Sequence, residues 1–397
     1  MKLTDSEQAL LDGSQGRATR KAMEILVALG HIYGAEDLVP VRSVQVSGVS
    51  FHNLGQAGLQ WLEEMAVDGR ARVLATLNPA GMDLEDWQGQ GIDAGFAAQQ
   101  LKVVGAYEAM GVAPTCTCIP YLTGNLPAAG EHVAWAESSA VAYVNSVIGA
   151  RSNREGGPSA LAAALTGRTP RYGLHLVRNR RPTLEVVAED TLEGTERWGA
   201  LGRVIGREAG GQVVWIRGSS RPSLPELKSL CAAVVTFGGS PLFYLQGSGP
   251  APPPGPPPVD SMAVTAPELD EALVELADGD ERVDLVCLGC PHASLAELSE
   301  LVGLLDGRIV TTEMWVCTAR PVADAARELG VVESLERAGV RVVCDTCFAV
   351  APLDRPGATV ATDSVKGCYY GRGHNKLRMH VGSVARCVDA AVTGRWR

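Results

Sequence analysis

From residue 283 to residue 344, short aliphatic and β-branched runs alternate with longer segments of helical period, a pattern that only a parallel sheet satisfies. Strands are predicted at 283–288, 308–312 and 340–344, with helices over 294–305 and 321–338. Successive strands separated by a helix pair in parallel through crossovers, so the stretch reads as the βαβαβ half of a doubly wound sheet. Ser294 with Glu297 makes a capping box for the first of its helices.

The same alternation runs upstream. Helices are predicted at 6–13 and 20–29, β-type residues at 39–49, a helix at 57–68, a strand at 72–76 and a helix at 96–110, followed by a Cys-bearing loop at 114–127. Residues 135–165, rich in Ala, Ser and Gly, are expected to pack densely inside the molecule. Two β/α units follow, 184–188 with 198–208 and 213–216 with 224–233. The run from Gly247 to Pro258 then stacks consecutive prolines, which favour an extended chain without backbone donors and read as a surface linker. A chain of 397 residues exceeds one ordinary core. The expected division is an N-terminal α/β lobe (1–134), a middle α/β lobe (135–247), a Pro-rich linker (248–260) and a C-terminal doubly wound lobe (261–397).

The formal net charge is −10, and Lys and Arg gather only at 168–171 and 178–181, which is no electrostatic footprint for nucleic acid. The first residues, MKLTDSEQALLDG, are polar, and no window approaches the ~20 apolar residues that span a bilayer. No nucleic-acid partner and no membrane partner is expected, and the expected location is the cytoplasm. Ten cysteines without an export signal then read as reduced thiols.

Functional groups of open parallel sheets gather beyond the carboxyl ends of strands. Cys290, Cys317 and Cys347 each follow a predicted strand. Cys287 and Cys344 fall inside strands, and Cys231 and Cys387 inside apolar helical patterns, where a thiol is a small buried hydrophobe. Cys116 and Cys118 occupy a proline-stiffened loop. Soft thiolates suit an iron–sulfur cluster or zinc, and three of them leave one metal position without a protein ligand. Spacing alone leaves a metal or cluster site, inert thiols and a nucleophilic cysteine all open.

Several stretches carry a resemblance. They are Ser47-Gly-Val-Ser-Phe-His-Asn-Leu-Gly55, Thr76-Leu-Asn-Pro-Ala-Gly-Met-Asp83, Thr117-Cys-Ile-Pro-Tyr-Leu122, Trp135-Ala-Glu-Ser-Ser-Ala140, Asn145 through Gly157, Gly289-Cys-Pro-His-Ala-Ser294, Asp345-Thr-Cys347 and Thr362-Asp-Ser-Val-Lys366. In this order they resemble the aconitase X family over nearly the whole chain. The resemblance implies an aconitase-like α/β fold of several lobes, with mostly parallel sheets around a central cluster cleft. It also implies an iron–sulfur cluster held by Cys118, Cys290 and Cys347, with Cys116 an unliganded neighbour and Cys317 no longer a candidate.

The implied chemistry is β-elimination of water from a small hydroxy acid. In aconitase-like enzymes the base is a serine on a swivelling domain that this chain lacks, so the resemblance implies a small partner subunit supplying it. Lys366, His52 and Ser50 are the candidate catalytic groups. Asn53, Asn78, Glu137, Ser138, Arg151, Asn153 and Arg154 are the candidate substrate ligands, because a carboxylate or phosphate wants guanidinium and amide donors. The first expectation for the substrate is cis-3-hydroxy-L-proline. The second is (R)-5-phosphomevalonate, with Arg168 to Arg181 supplying a basic pocket. A binding protein on a retired aconitase scaffold is the alternative of another class. Tyr244 with the proline tract, and Tyr369 beside Cys368, depart from the family pattern and bear on substrate rather than cluster.

Overall fold

A computed structural model describes residues 1–188, 191–218 and 221–397. They form two compact units, Met1–Arg181 with Gly249–Pro256, and Pro182–Ser248 with Pro257–Arg397.

The first unit holds strands β1 (Leu38–Pro40), β2 (Ser43–Val46), β3 (Leu74–Leu77), β4 (Ala134–Trp135) and β5 (Arg168–Pro170). β3, β2 and β4 form a parallel sheet in that order, while β1 and β5 pair antiparallel. All four residues of β2 are buried, as a parallel sheet covered on both faces requires. The helix Gly157–Thr166 packs with the sheet, and Ala160 to Leu165 are almost entirely excluded from solvent. The expectation of dense packing over 135–165 holds because alanines let backbones approach. The proline tract does not hang free. Gly249 lies on the Ser146 carbonyl, where a Cβ would stand 2.4 Å from the oxygen, and its φ of +69° is a glycine conformation.

The second unit carries β6 (Leu184–Ala188), β7 (Val214–Arg217), β8 (Phe243–Leu245) and β9 (Asp260–Val264), all parallel in the order β8-β7-β6-β9. Its second sheet comprises β10 (Leu285–Ala293), β11 (Glu313–Thr318), β12 (Val340–Cys344), β13 (Thr359–Thr362) and β14 (Arg378–Val381), parallel in the order β12-β11-β10-β13-β14. This is a doubly wound arrangement with its switch point between β10 and β13.

One predicted strand is displaced. β11 is Glu313–Thr318 rather than 308–312, whose amides instead bond to carbonyls at helix ends, Val310 N to Ala338 O and Thr311 N to Ala391 O. Ile309 and Val310 imitate a strand, but only 314–318 carries the apolar residues on both faces that a central position needs. Cys317 therefore lies within a strand and is buried, not past its end.

β10 does not stay regular. Its register with β11 shifts between Leu288 and Ala293, and the irregular residues Gly289 to His292 bring Cys290 to a half-buried position. Gly289, at φ +84°, makes this possible: a Cβ there would stand 2.1 Å from the Cys317 carbonyl oxygen. Bulges of this kind re-aim side chains next to functional sites. Gly289→Ala is expected to destabilise the chain by about 3 kcal/mol, seen as a fall of several degrees in the thermal midpoint, whereas the control Gly303→Ala, inside a helix with an open site, should hold or slightly raise it.

Candidate active site

The first unit gathers most of the predicted residues at the carboxyl edge of one sheet. β2 leads to Ser50, the cap of the helix Phe51–Ala66, with His52 and Asn53 exposed in its first turn. β3 leads to Asn78, and β4 to Glu137, the cap of the helix Ser138–Tyr143. Two further segments flank this sheet as isolated parallel bridges, Thr76 with Ala113 and Trp135 with Arg154. The first brings Cys118 beside β3, where Thr117 N bonds to Leu77 O at 3.0 Å. The second sets Arg154, exposed, near the end of β4.

Arg151 does not join them. It is bridged to His132, before β4 begins, so it lies about 10 Å back along the strand direction from Arg154. Asn153 braces a loop, its amide donating to Tyr172 O at 3.2 Å and its carbonyl accepting from Leu174 N at 2.8 Å. Glu137 is engaged by Ala140 N, Ser139 Oγ and Ser138 Oγ.

Buried amides lock these loops together. Gln100 accepts from Phe51 N and Gly81 N and donates to Val49 O, tying the Ser50 loop to the loop after β3. Gln45 donates to Thr117 O at 2.9 Å beside Cys118. Against this background two polar atoms stand out. Ser50 Oγ and Asn78 Oδ1 are buried with no hydrogen-bond partner, and Ser50 does not cap its own helix. Buried polar groups are ordinarily paired, and Gln45 Oε1 and Asn125 Oδ1 of the same unit share the exception.

The surroundings are electropositive. His132 and His175 meet Nδ1 to Nδ1 at 2.8 Å, and burial lowers the proton affinity of both, that of His175 to a pKa of about 3; Arg151 and Arg180 add to it at both rings, Arg171 at His132, and His132 itself at His175. Burial accounts for the largest part. The segment 168–181 does not form the basic pocket expected of it. Arg168 pairs with Glu7, Arg171 forks onto Asp37, and Arg180 is buried on the carbonyls of Asn145, Ala150 and Leu174.

In the second unit Cys347 and Lys366 lie just beyond the ends of β12 and β13, and Cys290 lies in the irregular last part of β10. The buried His292 ring is bonded through Nε2 to Thr346 O at 2.9 Å, which links the two cysteine loops. Asp345, at φ +63°, is held in that left-handed turn by an ion pair with Arg320. Lys366 is in the first turn of the helix Val365–Asn375, where a Cβ on Gly367 would touch the Phe348 ring at 2.6 Å, so this helix packs on the Cys347 loop. Lys228, on the helix Leu224–Gly238, was invisible in the sequence reading. It is a buried lysine whose Nζ donates to His292 O at 2.7 Å and Glu297 Oε2 at 2.6 Å. A cavity of about 340 Å³ opens near the switch point, lined by Gly289, Ala293, Asp363, Glu196, Glu297 and Ser383 among others. Among the described residues no three His, Cys, Asp or Glu converge closely enough to hold a single metal ion; ligands of a cluster each bind their own iron and stand further apart.

Family models described as Aconitase X first, second and third domain match residues 1–178, 182–274 and 283–393. The chain is 46% identical over 372 residues to the phosphomevalonate dehydratase large subunit of Methanothermobacter thermautotrophicus, covering 93% of each. It is 42% identical over 405 residues to that of Methanosarcina mazei, covering 100% of this chain and 98% of the relative. With the cis-3-hydroxy-L-proline dehydratase of Pseudomonas aeruginosa it shares 34% over 405 residues, covering 98% of this chain and 70% of that protein. A crystal structure of Thermococcus kodakaraensis aconitase X in its holo-form matches with a TM-score of 0.92 at 36% identity, covering 98% of this chain and 100% of that one.

Asp363 gives the site a measurable pH signature. Its Oδ2 accepts from Thr195 Oγ1 at 3.1 Å, its Oδ1 has no partner, and burial, helped by the Glu297 charge, raises its pKa to about 7. A carboxyl that binds its proton more tightly when folded adds stability below its unfolded pKa near 4 and loses that contribution as pH rises to 7. The melting advantage of Asp363→Asn over the parent is therefore expected to grow by roughly 2–3 kcal/mol between pH 5 and pH 8, measured by thermal denaturation at fixed ionic strength.

Proposed function

The chain belongs to the aconitase X family, and from that premise we propose that it is the large subunit of a dehydratase removing water from 5-phosphomevalonate. The observation that carries the substrate is the order of the identities: 46 and 42% to phosphomevalonate enzymes over nearly the whole chain, against 34% to a hydroxyproline enzyme. The order reverses the expectation drawn from the sequence, where cis-3-hydroxy-L-proline stood first.

The residues fit an iron–sulfur cluster. Cys290, in the irregular part of β10, and Cys347, past the end of β12, are soft donors braced by the His292 bond, and the buried Thr346 hydroxyl beside Cys347 has no partner within the protein. Such a hydroxyl suits a hydrogen bond to thiolate or inorganic sulfur. Cys118, on its proline-stiffened loop, is the proposed third ligand. When bound, a cluster with one iron free of thiolate supplies Lewis acidity that makes hydroxide a tolerable leaving group.

The chain's own side chains hold the substrate. Ser50 Oγ and Asn78 Oδ1 gain from a polar ligand the partners they lack, and the exposed Arg154 guanidinium pairs with a carboxylate or phosphate. His52 and Asn53 are exposed in the turn after Ser50, where an imidazole and an amide can donate to an anion. Lys366 adds a cation on the second unit, and Arg151, Asn153, Glu137 and Ser138 orient the loops around these groups. The base that takes the proton α to the carboxylate is assigned to a small partner subunit, in keeping with the large-subunit names of the relatives.

Co-purification with its small partner should yield a complex that consumes 5-phosphomevalonate with kcat/KM at least 100-fold above that for cis-3-hydroxy-L-proline. The reverse ratio would reject the substrate. Cys118→Ala, Cys290→Ala and Cys347→Ala should each abolish charge-transfer absorption, whereas Cys116→Ala should retain it; a colour that survives all three would reject the cluster.

A further inference from the structure

We infer that Lys228 is a positioning residue that sets the two cysteine loops of the second unit at their cluster-binding separation. The inference rests on the reading of Cys290 and Cys347 as ligands. Lys228 is 1% exposed, and a buried ammonium persists only where its partners are fixed. Its helix, Leu224–Gly238, follows β7 in the sheet of β6 to β9, yet its Nζ reaches the other sheet.

There it grips the β10 segment from two sides. One bond goes to the His292 carbonyl, two residues past Cys290; the other goes to Glu297 Oε2. That same oxygen accepts from Ser294 N at 2.8 Å and Ser294 Oγ at 2.6 Å, closing the capping box of the helix Leu295–Leu305. The residues between Cys290 and the helix are thus pinned at 292 and at 294. Because a carbonyl only accepts, the His292 ring carries its proton on Nε2 and donates it to Thr346 O, adjacent to Cys347. A single chain of bonds therefore runs from the Lys228 ammonium through the His292 backbone and ring to the second cysteine loop. Removing the ammonium frees the His292 peptide, and both loops lose their common reference. Lys228 touches no reacting atom in this scheme; it acts through His292.

The test compares the parent complex with Lys228→Met and with Lys228→Met/Glu297→Gln, the second variant also removing the carboxylate left unpaired. Three quantities are read: the thermal midpoint, the rate at which charge-transfer absorbance is lost to an iron chelator, and the alkylation rate of Cys290 by iodoacetamide in iron-free protein, normalised to that of a free cysteine peptide in the same solution. The double variant is expected to melt within a few degrees of the parent, lose the cluster about tenfold faster and show Cys290 alkylation changed several-fold. Unchanged release and alkylation in the folded double variant would overturn the inference, as would failure of both variants to fold, which would make the lysine a support of the whole unit. If the parent itself carries no iron, the ligand reading fails and alkylation alone decides: a several-fold change upholds the clamp, no change removes it.

Discussion

A parallel strand cannot return by a tight turn, so each crossover brings the chain back to start the next strand at the same end, and every carboxyl end opens on one edge. Among the described residues three of the four sheets are wholly parallel, and that constraint does more than any single contact to place the candidate residues. Ser50, Asn78 and Glu137 follow three adjacent strands of the first unit. Cys347 and Lys366 follow two strands of the second, and Cys290 sits in the irregular part of a third. Chain segments that are not regular strands join by the same rule: the Cys118 loop and the Arg154 segment each run parallel to the strand they flank.

Edges alone do not fix side chains, and the fixing is done by buried polar groups with full sets of bonds. Gln100 satisfies two N–H groups and one carbonyl with one amide, and Lys228 joins a carbonyl to a capping carboxylate. A buried polar group left unpaired costs about 1–3 kcal/mol, so each brace resists displacement of the loops it joins. Ser50 Oγ, Asn78 Oδ1 and Thr346 Oγ1 lack such partners, as do Gln45 Oε1 and Asn125 Oδ1; on the proposed reading a ligand completes the first three.

The sequence disclosed the fold through periodicity, because burial on both faces writes itself as apolar runs. It misplaced β11 by one segment since Ile309 and Val310 are β-branched yet belong to a loop, and the error moved Cys317 out of the strand that buries it. The cysteine motifs, the strand-end polar residues and Lys366 were legible in the sequence. The braces were not. A glutamine in a helix or a lysine near a helix start looks like solvent-facing polarity in one dimension, and only the bonds across 49 or 64 residues of separation distinguish them. The arginines of 168–181 show the opposite failure, for a basic cluster in sequence became ion pairs with Glu7 and Asp37, distant in the chain.

That last substitution changes where an anion is held. With Arg168 and Arg171 committed to carboxylates and Arg180 to carbonyls, the exposed guanidinium near the end of β4 is Arg154, and the exposed His52 and Asn53 follow Ser50 at the same edge of the first unit. A doubly charged phosphate needs more than one such donor. A compact amino acid carries its own cation and has only one anionic group to place. On the proposed reading, this set of donors suits the more anionic of the two substrates.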